Sequence, residues 1–148
     1  MQLRSMLLLL GVSFFIFAGF KSSDQRSAKA IQSNDQPTPV WIELVYTGVL
    51  SPGTLTGTFT AHGALETSGT VEMTVHRYAN VAHCSQTLED ENGTITVLTN
   101  CQFSTMDGTW RVVSGTGAYW DLEGNGKLHM TSPGGVVLAE ESWSGKVR

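Results

Sequence analysis

Residues Gly108–Leu128 read GTWRVVSGTGAYWDLEGNGKL, and this stretch decides the fold. Asp107-Gly108 reads as a turn, and Thr109–Ser114 as a short strand leaving it. The strand breaks at Gly115-Thr116-Gly117, sets Tyr119 and Trp120 just past the break, and restarts beyond Gly124 and Gly126. Strand, glycine-rich corner, aromatic plug and next strand are what a small closed antiparallel barrel needs where its sheet bends.

Outward from this corner the pattern is β throughout. Leu55, Phe59 and Ala61 alternate with threonines, and Val71, Met73 and Val75 with Thr70, Glu72, Thr74 and His76. Ile95 and Val97, and later Leu128 and Met130, repeat the period. Period-two alternation marks antiparallel strands with one face in a core. Ser51-Pro52-Gly53, Ser68-Gly69, Asn92-Gly93, Asp107-Gly108 and Ser132-Pro133-Gly134-Gly135 supply turn chemistry between the runs. The expectation is an all-β domain of seven or eight hairpin-linked strands. A single small antiparallel closed barrel of about eight strands removes the exposed edges of such a meander. A two-sheet β-sandwich is the alternative.

The corner Gly115-Thr116-Gly117-Ala118-Tyr119 resembles the G-T-G-x-aromatic corner of the allene oxide cyclase and dirigent type barrels. It resembles still more closely small secreted bacterial barrel proteins. The resemblance implies a barrel of about eight strands with Gly115–Tyr119 as a fold-defining feature. In the plant relatives the barrel encloses a hydrophobic cavity that steers cyclisation or radical coupling of an oily intermediate. Only the corner aligns, so no catalytic residue is carried over.

The first thirty residues read as an export signal: Arg4, then the apolar run Met6–Phe20, then a small-x-small site at Ala28-Lys29-Ala30. The run is short for a membrane span, although the long polar gap before the site also admits an uncleaved anchor. Residues 31–39 read as a flexible leader and 40–148 as the barrel domain. Cleavage after Ala30 removes four of nine cations and one of thirteen acids, taking the net charge from −4 to −7. That sign argues against nucleic acid or an anionic membrane as partner. The expected compartment is secreted or periplasmic, with no membrane partner after cleavage and the oligomeric state open.

Cys84 and Cys101 both follow the export signal, which favours oxidation. With Asn92-Gly93 as a two-residue hairpin loop, opposed residues have numbers totalling 185, as 84 and 101 do. The expectation is a structural disulfide worth about 3 kcal/mol in the chain-entropy picture. A redox-active dithiol is the alternative, without C-x-x-C spacing or a nearby cation to support it.

Signals for chemistry are sparse. His62, His76, His83 and His129 show no metal-ligand spacing, so no metal site and no cofactor are expected. Neither glycine cluster matches a phosphate loop, and no G-x-S-x-G is present. The aromatic residues Trp41, Tyr46, Trp110, Tyr119, Trp120 and Trp143 either plug the barrel or wall a small-molecule pocket. The leading expectation is a secreted, non-enzymatic barrel binding a small apolar or amphipathic molecule. Its wall would be Tyr46, Trp110, Tyr119 and Trp120, with Arg111 or Glu43 orienting the ligand. A barrel isomerase or cyclase using a buried carboxylate is the second reading, with its catalytic residue unknown. A filled barrel acting through its outer surface is the third.

Overall fold

The computed structural model describes residues 36–148. The expected export signal and residues 31–35 of the expected leader lie outside the described residues. Eight strands follow in order: β1 (Thr38–Ser51), β2 (Thr54–Gly63), β3 (Thr67–Tyr78), β4 (Val81–Asp90), β5 (Gly93–Gln102), β6 (Asp107–Gly115), β7 (Gly124–Thr131) and β8 (Ala139–Val147). Each pairs antiparallel with the next, and β8 returns to pair with β1, setting Trp143 opposite Ile42. The chain is therefore one closed eight-strand barrel, and the sandwich alternative falls. β1 begins two residues before Val40, so Thr38 and Pro39 belong to the ladder and not to the leader.

Alternation selects the lumen face. Val40, Ile42, Leu44 and Tyr46 of β1 point inward, as do Cys84, Gln86 and Leu88 of β4 and Ile95, Val97, Thr99 and Cys101 of β5. Burying each Leu, Ile or Val contributes about 1.5–3 kcal/mol. A meander also sorts its connections by end. The β1–β2, β3–β4, β5–β6 and β7–β8 connections share one end, called here the even end. The others share the odd end with the beginning of β1 and the end of β8.

The corner closes the odd end. β6 runs to Gly115, a single 3-10 turn spans Gly117–Tyr119, and β7 starts at Gly124. Gly117 holds φ at 60°, and a Cβ there would collide with the Asn92 carbonyl. Tyr119 is buried beside Leu122, whereas Trp120 is 74% exposed, so Tyr119 alone of the two aromatics is the plug.

Two expected turns are strand instead. Asp107-Gly108 lies in β6 and Ser68-Gly69 in β3, because pairing on both sides overrides the local turn signal. Gly108 faces Cys101 and Leu128, and Gly69 faces Phe59. The chain turns at 103–106 and 64–66 instead.

The β4–β5 hairpin also departs from the expected register. Asp90 faces Gly93, with Glu91-Asn92 at the tip. Asp90 Oδ1 accepts hydrogen bonds from the backbone N–H of Asn92 (2.7 Å) and of Gly93 (3.1 Å), a side-chain turn that selects this tip. Every pair shifts by two, so Cys84 faces Thr99 and Cys101 faces Ala82, and Leu88 faces Ile95 instead of Val97. The cysteines become diagonal neighbours on the inner face, where Cα atoms stand about 7–8 Å apart. That exceeds the usual disulfide span, and both are free thiols. The expected disulfide is thus corrected by a two-residue register change. Burial and the charge of Glu141 push the Cys84 thiol up to about 11. Native protein at pH 8 is therefore expected to alkylate slowly, and denatured protein to take two labels. An intact mass two hydrogens light would refute the register.

Candidate functional site

The lumen is not uniformly apolar. Gln86, Thr99 and Glu141 are buried among its hydrophobic side chains. Gln86 and Thr99 lie on the paired strands β4 and β5, and the closed sheet brings Glu141 of β8 to them across the interior. Gln86 is the junction. Its Oε1 accepts from the Tyr46 hydroxyl at 2.6 Å, and its Nε2 donates to Glu141 Oε2 at 3.0 Å and to Thr99 Oγ1 at 3.3 Å. Trp143 Nε1 donates to the same Glu141 oxygen at 2.7 Å.

Glu141 is 3% exposed. Burial raises its carboxyl above the usual range, opposed by the hydrogen bonds from Gln86 and Trp143. Both bonds fall on Oε2, and Oε1 accepts none. Among the described residues no fully buried side-chain nitrogen or oxygen lacks a partner. Oε1 is therefore the part of this carboxyl still in touch with accessible space. Glu141 stands two residues after Ala139, where β8 begins, so the cluster lies toward the even end. Burial and then Glu141 also hold the Tyr46 phenol well above its ordinary value, keeping it a neutral donor.

Aromatic rings support the cluster. Trp110 of β6 stacks on Trp143 with centroids 5.6 Å apart and 19° between planes. Its Nε1 donates to the Ser144 carbonyl at 3.3 Å. The space for Trp110 exists because β8 carries glycine at 145, where a Cβ would strike the indole.

The expected ligand wall is therefore divided. Tyr46 and Trp110 are inside, Tyr46 within the cluster and Trp110 one ring away from it. Tyr119 is inside but at the odd end, where its hydroxyl donates to Asp90 Oδ2 at 2.5 Å. Trp120, Arg111 and Glu43 are exposed on the outside and cannot orient a molecule in the lumen. Arg111 instead lines an outer groove of about 450 Å³ over β4–β7, together with His83, Leu98 and Asn100. A second groove, of about 550 Å³, lies over β1–β4 among Thr56, Thr58, Thr70 and Glu72. Among the described residues no three His, Cys, Asp or Glu side chains cluster as a metal site.

Gln86, Thr99 and Glu141 are the functional candidates that sequence reasoning missed. The signal was the same alternation: Gln86 sits between inward Cys84 and Leu88, and Glu141 between inward Ala139 and Trp143. Of the adjacent acids Glu140 and Glu141 only the second is buried, since strand neighbours face opposite sides.

Compared with protein-family models, with curated proteins and with solved structures, the chain matches none.

Proposed function

We propose that this chain is an exported barrel that binds a small amphipathic molecule at the Tyr46–Gln86–Glu141 cluster, entering from the even end. The observation that carries the reading is Glu141: a carboxyl inside an apolar lumen, fixed by two donors on one oxygen and unpartnered on the other. Oε1 is not fully buried, so it is the oxygen a ligand can reach, and a hydrogen bond to a charged group contributes about 1.5–3 kcal/mol. A ligand hydroxyl or amide N–H would satisfy Oε1 while its apolar body packs on the surrounding side chains. Export rests on the N-terminal apolar run, and fractionation of the expressed full chain tests it.

Native mass spectrometry of the exported protein tests the binding. The expected result is a mass excess that disappears on denaturation and is reduced at least about tenfold in occupancy by Glu141→Gln, the value of one charge-assisted hydrogen bond. A bare mass in the wild type would defeat it. A second reading, the filled barrel working through its outer surface, is favoured by the two grooves being external. The cyclase or isomerase reading would use Glu141 as proton donor, since burial holds its proton to higher pH. Conversion of the extracted compound by wild type but not by Glu141→Gln would move the proposal there.

A further inference from the structure

The two ends of the barrel differ in charge, and the difference points to a partner. At the odd end stand Glu66, Asp90, Glu91, Asp121 and Glu123, all on the connections or at their edges. The even end is built from Val49–Thr54, Tyr78–Val81, Gln102–Asp107 and Thr131–Ala139, which hold a single charged residue, Asp107. His129 Nδ1 stands 2.8 Å from its carboxylate. The next carboxylate on the outer surface, Glu140, lies on β8 just after the last connection. Apolar side chains occupy this end: Val49, Leu50, Tyr78 and Val136 are between 64% and 82% exposed. Arg77 is the cation there, exposed and held over the Phe103 ring at 5.2 Å.

We propose that the even end docks on the surface of a zwitterionic lipid bilayer, inserting Val49, Leu50 and Val136 to the level of the headgroups. The distribution fits a bilayer better than a protein. The large apolar residues stand on separate tips around a ring, not on one flat face. Tyr78 and Arg77 sit beside them, the residue types that anchor at a headgroup layer. The net charge argued against a membrane partner, but the fold holds most of that charge away from this end. Repulsion then limits binding to anionic surfaces and leaves neutral ones open. This inference stands apart from the interior-ligand reading, because none of its residues belongs to the Glu141 cluster.

Flotation of the exported protein with phosphatidylcholine vesicles is the test. The protein is expected to float, and mixing phosphatidylserine into the vesicles should weaken binding. Leu50→Asp and Val136→Asp should each lower the bound-to-free ratio by about tenfold, from the loss of one buried aliphatic side chain. Trp120→Asp, at the odd end, should leave it unchanged. Comparing variants in the same chain cancels any contribution from residues 1–35. Absence of flotation would overturn the proposal, as would equal loss in Trp120→Asp or none in Leu50→Asp. A dimer in solution that dissociates with Leu50→Asp would overturn it in favour of a second copy of the chain as occupant.

Discussion

Replacing Trp110 with alanine is expected to destabilise the barrel by about 3–5 kcal/mol, the cost of emptying a large aromatic site that cannot collapse. Collapse is blocked because Trp110 is 2% exposed and its stacking partner Trp143 is itself tied to Glu141. Trp143 cannot move into the space without breaking the polar cluster. Chemical denaturation with near-ultraviolet circular dichroism checks this, since the Trp110–Trp143 pair should give a signal that vanishes in the variant. Trp120→Ala is the contrast. Its ring is largely in solvent, and the change should stay within about 0.5 kcal/mol. Equal effects at the two tryptophans would contradict the division between plug and surface.

Asp90→Ala is expected to cost about 2–4 kcal/mol, from several hydrogen bonds to a carboxylate lost together. Asp90 accepts from Thr67, from Tyr119, from the Asn92 side chain and from the backbone of Asn92 and Gly93. It therefore links the β2–β3 side, the hairpin tip and the corner. Burial pushes its carboxyl up, but the bonds from Thr67, Tyr119 and Asn92 outweigh that and hold it below the usual aspartate range. A pKa lowered on folding contributes stability that is present above the unfolded-state value and lost as pH falls through the folded one. Urea midpoints of the wild type should therefore decline below about pH 4, the ordinary aspartate value, more steeply than those of Asp90→Ala. Glu141 has the opposite sign. Its raised pKa means stability is greatest below the unfolded glutamate value and is lost as pH rises through the folded one, a decline that Glu141→Gln should abolish. Parallel profiles for wild type and both variants would show that neither carboxyl titrates differently on folding.

Neither expectation follows from the corner sequence alone. Trp110 and Tyr119 stood out as large rings beside glycines, but their partners lie 33 and 29 residues away, on other strands. Arg111 and Glu43 were named for their chemistry. The alternation that turns Trp110 inward necessarily turns Arg111 outward, and Glu43 faces out between inward Ile42 and Leu44 for the same reason.

What the sequence determined by itself is local. Two-residue periodicity, glycine corners and hairpin turns are properties of neighbouring residues, and they suffice for an all-β meander, with barrel and sandwich both open. The tertiary structure decided which side chains meet across the lumen. Gln86 and Glu141 are 55 residues apart, and only closure of β8 onto β1 makes them hydrogen-bond partners. The hairpin register belongs to the same class. Asn92-Gly93 is a strong local turn signal, yet the tip sits at Glu91-Asn92, where Asp90 accepts from the Asn92 and Gly93 backbone locally and from Thr67 and Tyr119 across the fold. Local sequence specifies backbone angles at each turn. A choice between two registers that bury the same face is made by side-chain bonds, here those that Asp90 makes within the tip and to Thr67 and Tyr119.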